Sequence, residues 1–464
     1  MTTNGRAFGH AVIIGGSVAG LLAARVLSDH FKHVTILERG PRPDGSEPRK
    51  QTPQAQHAHL LLEAAVKGFE QLFPGIIREL QDAGAVSFDP GQSAVLYHYG
   101  AWKPRFATGM ETVGCTRPLI EYHVRRRTEA LPNVEIRYEH TAERLVCSAG
   151  RITGVCIRRE AGEDTLQADL VVDAAGRGTR APRWLEDLGY GRPEEDQVGL
   201  DLAYVSRLYE RPADCAVDWK GLAIYSPLPG KRGAFVFEIE KNRWIVSLTG
   251  YFGDHAPMDD AGFLEFLRSL PVPEPYEAVV SGKPLTAPVK HKIPTSRWFR
   301  YDKMGRFPDG LLIVGDSVLA LNPLYGQGIT VTVQTMRALR QALQDLAHSG
   351  GDLAGLLRAF PKQHTRFAAQ AWMLSTLMDL RHPEAEGKRP PGLAALQWTF
   401  ANLIDLTSLD KRACGIFYDM VHMRRGPEAL VHPHLLPSLL AYSAKSLFVP
   451  RDERIYRGTL PRAS

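Results

Sequence analysis

The chain has 464 residues, of which 44% are hydrophobic and 23% charged, and its formal net charge is +5. A chain of this size and composition can bury a large core in two or more subdomains, as ordinary globular proteins do. The positive excess is small and scattered along the chain, so no nucleic-acid partner is expected.

The cysteines and the lengths of the apolar runs indicate the cellular compartment of the protein. Five cysteines stand far apart with no C-x-x-C pair, which indicates reduced thiols and no metal site. The segment before the first predicted strand is short and polar, so no signal peptide is expected. No apolar run reaches the length of a transmembrane segment. These features predict a cytoplasmic protein.

The first predicted elements form a dinucleotide-binding fingerprint. Residues 11–14 have the continuous apolar character of a buried parallel strand, and a glycine turn, a helix, a second strand and an acid follow. Helix-start N–H groups bind a pyrophosphate in such a unit, and the acid accepts hydrogen bonds from ribose hydroxyls. Ser17 replaces the middle glycine of G-x-G-x-x-G, and its hydroxyl can donate to a phosphate. The predicted binding residues are Gly15, Gly16, Ser17, Gly20 and Glu38.

A loop rich in Pro, Arg and Gly follows the second strand. It carries Arg39 and Arg49 beside the predicted pyrophosphate. It also carries Gln56, His57 and His59, for which a ligand contact and a buried structural role are both open. A helix is predicted over residues 60–73, ending at a Pro-Gly pair.

The middle of the chain has a different hydrophobic period. Between residues 93 and 108 the period is two, which predicts aromatic-rich strands outside the nucleotide layer. A basic helix over residues 119–130 starts after Arg117-Pro118. Residues 234–250 form a predicted hairpin that turns at Lys241-Asn242. Further strands are predicted at residues 134–138, 142–147, 154–158 and 168–173.

The last third returns to the nucleotide layer and then becomes helical. A strand over residues 310–316 ends in Gly315-Asp316, and a loop at residues 322–328 leads into a helix over 329–346. Residues 350–445 have a helical pattern, interrupted by a Pro- and Gly-rich linker.

Three separated segments each place a nucleotide-binding group at the end of a strand or helix: residues 15–38, 173–180 and 315–328. Their spacing resembles that of the FAD-dependent monooxygenases of the aromatic-hydroxylase type, over about residues 8–345. Within that family the chain is most similar to the bacterial polyether-type epoxidases, distant relatives of squalene epoxidase. This similarity lies in the segments GGSVAGLLAARVLSDHF, TPQAQHAHLLL, LVVDAAGRGTRAPRWL and LNPLYGQGITV.

The resemblance implies an α/β fold with three parts: a Rossmann-like FAD-binding domain, an inserted mixed or antiparallel-sheet substrate domain, and a helical C-terminal region. The expected FAD-binding domain is discontinuous and covers residues 8–92, 112–190 and 291–345. The expected substrate domain covers 93–111 and 191–290, and the C-terminal region covers 346–464.

The resemblance also implies roles for single residues. Asp316 would bind the ribityl hydroxyls, although an N-cap of the following segment is an alternative. Arg117 would contact the ribityl or phosphate region. The loop residues Pro323, Gly326, Gln327 and Gly328 would lie at the reacting flavin ring, where helix-start N–H groups stabilise the anionic reduced form. The full expected cofactor set is Gly15, Gly16, Ser17, Gly20, Glu38, Arg39, Arg49, Arg117, Asp316, Pro323, Gly326, Gly328 and Ile329.

The implied reaction is oxygen transfer from a flavin hydroperoxide to an alkene of a polyketide or terpenoid, which gives an epoxide. Molecular oxygen is the co-substrate, and NADPH or NADH is the electron donor, directly or through a flavin reductase. Asp173-Ala174 replaces the family's Asp-Gly, which predicts slow reduction by NADPH alone. An apolar slot would hold the substrate, and its candidate residues, for which ordinary core packing is the alternative, are Trp102, Phe235, Phe237 and Trp244.

Other functions stay open. An aromatic hydroxylase would need a phenol-activating residue, and Tyr204 and His98 are the candidates. A prenyl-chain reductase shares the fold, and a flavin-holding protein without turnover belongs to a different class. The sequence has no W-x-W-x-I-P motif of a flavin halogenase, and it has neither the second nucleotide domain nor the redox C-x-x-C of a disulfide reductase.

Overall fold

The structure is a computed structural model that describes residues 8–49, 52–160, 162–212, 215, 217–455 and 458–462. Its strands are β1 (Phe8–Ile14), β2 (Phe31–Glu38), β3 (Leu60–Leu61), β4 (Val86–Phe88), β5 (Ala94–His98), β6 (Ala101–Trp102), β7 (Thr112–Gly114), β8 (Val134–Tyr138), β9 (Thr141–Ser148), β10 (Arg151–Arg159), β11 (Gly162–Gln167), β12 (Leu170–Asp173), β13 (Glu195–Glu210), β14 (Gly221–Tyr225), β15 (Arg232–Ile239), β16 (Arg243–Gly250), β17 (Val289–Phe299), β18 (Leu311–Ile313), β19 (Leu319–Ala320) and β20 (Glu386–Gly387).

The helices are α1 (Val18–Leu27), α2 (Glu63–Leu72), α3 (Ile76–Asp82), α4 (Arg117–Glu129), α5 (Ala181–Asp187), α6 (Asp260–Arg268), α7 (Glu274–Val280), α8 (Gly328–Ser349), α9 (Leu353–Asp379), α10 (Leu393–Leu406), α11 (Lys411–Val421), α12 (Leu436–Ser446) and α13 (Arg451–Arg454).

The first sheet is parallel and five-stranded, in the order β18-β12-β1-β2-β8. Both of its faces are covered, which explains the continuous apolar run in β1. Ala11 and Ile13 pack against α1 and α8, whereas Val12 and Ile14 pack against the three-stranded sheet β9 to β11. The Rossmann-like layer that the sequence predicts is therefore confirmed.

The second sheet is mixed and nine-stranded, in the order β19-β17-β13-β16-β15-β14-β5-β6, with β20 paired to β13. The predicted hairpin forms β15 and β16. Its turn residues Lys241 and Asn242 have φ of 65° and 51°, as a tight two-residue hairpin turn requires. The predicted domain boundary at residue 291 falls inside β17, which pairs with β13 in this sheet.

The alternation of side chains gives the nine-stranded sheet two distinct faces. On one face, Tyr204, Phe235 and Phe237 pack with Leu324 and Tyr325 of the loop before α8. We call this the loop-facing face. On the opposite face, a separate core joins the sheet to the helices α6 and α7.

Two smaller features complete the fold. The predicted helix over residues 60–73 is shorter than expected, because Leu60 and Leu61 form β3 in a small sheet with β7 and β4. From Leu353 onward the chain is mainly helical, as predicted, and α9 to α12 share a core of their own. In the described ranges, no helix combines the length and the apolar character needed to cross a membrane.

Candidate functional site

The glycine turn after β1 leaves the start of α1 open. Gly15 has φ +107°, and a Cβ there would lie 2.5 Å from the carbonyl oxygen of Ala174. A Cβ on Gly20 would collide with the Gly15 carbonyl, so glycine is what allows α1 to pack this close to β1. The N-cap residue Ser17 makes no side-chain cap, and the first turn carries no acid. The N–H groups at this helix start can therefore bind an anion.

A buried ionic cluster adjoins this helix start. Ser17, Arg49, Arg117 and Glu121 form it, and we call it the Glu121 cluster. The Glu121 carboxylate accepts hydrogen bonds from the Ser17 hydroxyl at 2.6 Å, from Arg117 Nε at 2.9 Å and from Arg49 Nη2 at 2.6 Å. Burial alone would raise the pKa of Glu121, but the charges of Arg117 and Arg49 outweigh it and lower that pKa to about 2.

The Glu121 cluster explains how two predicted cofactor residues are held in place. Glu121 orients both arginines toward the glycine turn, and its side chain is only 4% exposed. The sequence analysis missed Glu121. Its position four residues after Arg117 on a predicted helix is a signal that could have identified it.

Glu38 ends β2 as a buried carboxylate. It accepts hydrogen bonds from the N–H groups of Gly16 at 3.0 Å and Gly40 at 2.9 Å, and Arg49 Nη1 lies 3.6 Å away. These contacts fix the carboxylate beside the glycine turn. Arg39, by contrast, is exposed to solvent.

The second and third motifs meet at a buried aspartate. Asp173 accepts hydrogen bonds from Ala175 N–H at 2.9 Å, from the Thr179 hydroxyl at 2.5 Å and from the Ser317 hydroxyl at 3.0 Å. Burial raises its pKa in spite of these donors. Asp173 therefore joins the segment after β12 to the segment after β18, and its oxygens are already occupied.

Asp316 is placed differently from Asp173. Its side chain is 43% exposed, and its charged neighbour within the described ranges is Arg177, at 4.0 Å. Val314 occupies the N-cap position of the short turn that contains Asp316, and no side chain forms a cap there. The alternative N-cap role of Asp316 is therefore not seen in the described part of the chain. Arg177 also donates to the carbonyl groups of Thr295 and Leu321.

The loop before α8 opens onto free space. Pro323 and Gly326 are exposed, and a Cβ added at Gly326 or Gly328 would meet no atom within 4 Å. The helix α8 starts without a side-chain cap and without an acid in its first turn. Gln327 Oε1 and Thr330 Oγ1 are buried without a hydrogen-bond partner among the described residues. Ile329 packs partly buried against the core of the parallel sheet.

Asp379, the last residue of α9, holds this loop in place through hydrogen bonds. Asp379 is 1% exposed and accepts hydrogen bonds from Asn322 Nδ2 at 2.8 Å, Tyr325 Oη at 2.9 Å, Tyr251 Oη at 3.4 Å and Ser375 Oγ at 3.1 Å. Burial raises its pKa to about 7, although the hydrogen bonds act in the opposite direction. The sequence analysis missed Asp379, since nothing in its helical stretch distinguishes it from a surface acid.

The predicted slot residues separate into two groups. The rings of Phe235 and Phe237 lie 6.2 Å apart on the loop-facing face. Trp244 lies on the opposite face, where it stacks on Trp219 at 5.9 Å, and Trp102 lies there too. The structure therefore brings Phe235 and Phe237 to the loop before α8 and does not bring the two tryptophans to it.

The predicted histidines are buried to different extents. His57 is buried on the loop-facing side, and its Nδ1 lies 2.7 Å from the Ser206 hydroxyl. His59 Nδ1 contacts the His57 carbonyl group at 2.9 Å. His98 packs against the rings of Tyr99 and Tyr225, and burial lowers its pKa well below the usual value. Among the described residues there is no cluster of three or more His, Cys, Asp or Glu that could hold a metal ion.

Comparison with solved structures identifies the fold. A probable FAD-dependent monooxygenase, PqsL from Pseudomonas aeruginosa, aligns with a TM-score of 0.64 at 17% identity, over 81% of this chain and 97% of its own. The flavin-dependent brominase Bmp2 aligns with a TM-score of 0.64 at 14% identity, over 94% of this chain and 100% of its own. The chain therefore has the fold of the FAD-dependent monooxygenases.

A comparison of amino-acid sequences assigns the chain to a family. The chain is 34% identical to protein Rv3254 of Mycobacterium tuberculosis (strain ATCC 25618 / H37Rv) over 395 residues, which cover 81% of this chain and 82% of that protein. The chain belongs to the same family as Rv3254. No model of a known protein family matches the chain. The predicted closeness to the polyether-type epoxidases stays a prediction.

Proposed function

We propose that the protein is an FAD-dependent monooxygenase of a small organic substrate. The observation that carries this proposal is the pair of uncapped helix starts, at α1 and α8, with the exposed Asp316 on the turn after β18. These residues fit FAD. The start of α1 and the arginines of the Glu121 cluster would hold the pyrophosphate, Asp316 the ribityl chain, and the open loop at Gly326 the ring. When bound, FAD supplies the activation of molecular oxygen.

For the reaction, we favour epoxidation of a polyketide or terpenoid alkene. Phe235 and Phe237 offer an apolar surface next to the loop before α8, and an alkene needs to be oriented and kept dry more than it needs a titrating group. NADPH or NADH, directly or through a flavin reductase, is the proposed electron donor. PqsL is a probable FAD-dependent monooxygenase and Bmp2 is a flavin-dependent brominase, and their likeness in fold supports flavin-dependent chemistry in this protein.

Aromatic hydroxylation is the second candidate, and a specific observation favours it. Tyr251 and the Asp379 carboxylate lie buried at the loop before α8, and Tyr325 of this loop is partly buried beside them. Such a polar cluster suits a substrate with a phenolic hydroxyl better than it suits a hydrocarbon. Mass spectrometry of the product made with ¹⁸O₂ from a panel of polyenes and phenols separates the two reactions.

The first prediction concerns the cofactor. Purified protein is expected to be yellow and to release FAD on denaturation. Asp316→Ala removes a carboxylate expected to bind the ribityl hydroxyls, so FAD affinity should fall by about 1.5–3 kcal/mol. Titration of the apoprotein with FAD, followed by fluorescence quenching, measures this change. The control is Asp187→Ala, which removes an exposed aspartate at the end of α5. A wild-type protein that binds no FAD at micromolar concentration would refute the proposal.

The second prediction concerns the slot. Phe237→Leu should lower product yield several-fold and raise hydrogen peroxide release, because a poorly held substrate leaves activated oxygen to decay. The yield of ¹⁸O-labelled product per NADH consumed measures the effect. Phe263→Leu changes a buried phenylalanine in the core on the opposite face and should leave this yield unchanged. Equal yields from the two variants would place the substrate elsewhere.

A further inference from the structure

A short hydrogen-bonded relay ends at His57 on the loop-facing face. The N–H of Ala58 donates to Ser247 Oγ at 3.0 Å, Ser247 Oγ lies 2.6 Å from Ser206 Oγ, and Ser206 Oγ lies 2.7 Å from His57 Nδ1. Ser206 and Ser247 sit on the paired strands β13 and β16. Both serines are almost fully buried, so their hydroxyl groups are not in contact with bulk solvent.

The direction of this relay fixes the tautomer of His57. The backbone N–H at one end is an obligatory donor. If Ser247 then donates to Ser206, and Ser206 donates to His57 Nδ1, every hydroxyl hydrogen has an acceptor. In the reverse direction the Ser247 hydroxyl hydrogen would have no acceptor among the described residues. The satisfied arrangement leaves Nδ1 as acceptor, so Nε2 carries the hydrogen.

The His57 ring is neutral in this setting. Burial, followed by the charges of His291 and His59, lowers its pKa to about 3. Nε2 is buried without a partner among the described residues. His57 therefore presents one N–H donor that the protein itself leaves unused.

A second unused group lies beside the first. Tyr204 is 5% exposed, and its hydroxyl has no hydrogen-bond partner in the described part of the chain. The rings of Tyr204 and His57 lie 5.8 Å apart, and Tyr204 shares the loop-facing core with Phe235 and Phe237. Burial, followed by the charges of Tyr225 and Asp379, raises the pKa of Tyr204 well above its usual value, and the Arg177 guanidinium acts in the opposite direction.

We infer that His57 Nε2–H and the Tyr204 hydroxyl form a pair of donors that binds an acceptor oxygen of the organic substrate, a carbonyl or phenolic oxygen. This inference rests on the proposed monooxygenase function and narrows its substrate class to oxygen-bearing molecules. A buried donor without a partner is costly, and a ligand oxygen removes that cost. A site of this kind discriminates strongly against an analogue that lacks the oxygen.

The test compares ring systems with and without a carbonyl group. FAD-loaded full-length protein is titrated with 1-tetralone and tetralin, and with 9-fluorenone and fluorene, and binding is followed by the change in flavin absorbance. Wild-type protein should bind the ketone of at least one pair about tenfold more tightly than the hydrocarbon. In Tyr204→Phe this ratio should fall by about three- to tenfold, the equivalent of one hydrogen bond. Ser206→Ala should lower the ratio as well, because it frees the His57 tautomer.

The matched control is Tyr209→Phe. Tyr209 is a buried tyrosine on the same strand, but it packs into the core of the opposite face, so this variant should keep the wild-type ratio. The inference is overturned by an equal ratio in Tyr204→Phe and Tyr209→Phe, or by failure of wild-type protein to bind any probe. It is also overturned if Tyr204→Phe loses FAD affinity without a probe, because the donors would then bind the flavin. Wild-type protein that retains no FAD before titration would instead overturn the proposed function.

Discussion

Glu121→Ala is expected to lower the free energy of unfolding by about 3–5 kcal/mol, the usual cost of removing one partner from a buried ionic network. Arg49 and Arg117 would lose their common acceptor, and both of their side chains are at most 14% exposed. Urea denaturation of the variant and the wild-type protein measures the difference. Glu135→Ala, which removes an exposed partner of Arg137, should cost less than about 1 kcal/mol.

Acid should produce the same loss in the wild-type protein. The pKa of Glu121 falls from its ordinary 4.5 to about 2 in the folded chain. Its stabilising contribution is therefore fully present above pH 4.5 and is lost as the pH falls through about 2. The Glu121→Ala variant should lack this part of the acid transition. If variant and wild type lost stability in parallel over this pH range, the Glu121 cluster would not be the cause.

Asp379→Ala is expected to have a large effect on the free energy of unfolding. It should also have a large effect on the coupling yield, which is the yield of product per NADH consumed. The substitution removes the shared acceptor of the Tyr325, Tyr251 and Ser375 hydroxyl groups. It also removes one of the two acceptors of the Asn322 amide, which keeps its hydrogen bond to Tyr251 Oη. An unsatisfied buried donor costs about 1–3 kcal/mol, so three of them set an upper range of about 3–9 kcal/mol. Relaxation of the side chains around the vacated site should reduce the loss of unfolding free energy to about 2–4 kcal/mol. Because Asn322 and Tyr325 belong to the loop before α8, the yield of product per NADH should also fall by about tenfold or more.

The control for Asp379 lies at the other end of the same helix. Asp352 caps α9 by accepting from the N–H groups of Ala354 and Gly355, so Asp352→Ala should cost about 1 kcal/mol and leave the coupling yield unchanged. Burial raises the pKa of Asp379 from 3.8 to about 7, which means that the folded chain holds this proton more tightly than the unfolded chain. Its contribution is thus present below about pH 4 and is lost as the pH rises through 7. Asp379→Asn should remove that decline.

Local sequence rules predicted the nucleotide layer and the hairpin well. The strand–turn–helix–strand unit around Gly15 depends mainly on residues close in the chain. Gly15 is required there by its positive φ, and Gly20 by the close approach of the Gly15 carbonyl. The left-handed turn at Lys241-Asn242 is equally local. The resemblance to FAD-dependent monooxygenases predicted the fold that the comparisons confirm.

Side chains alternate between the two faces of a strand, so the sequence predicted that Phe235 and Phe237 share one face. The structure confirms this. The pattern could not say which face meets the loop before α8, because both faces of this sheet are buried under apolar residues. Trp244 and Trp102 were therefore predicted as slot residues on aromatic character alone, and they lie in the other core.

What the sequence by itself determined was the class of fold, the glycine turn and the acid at the end of β2, since these follow from backbone geometry and short-range spacing. Only the tertiary structure decided which polar side chains meet. Glu121 meets Ser17 across 104 positions and Asp379 meets Asn322 across 57, and the His57 relay joins residues up to 189 positions apart. Burial turns such contacts into strong constraints, because a polar group out of water must find its partner inside the protein.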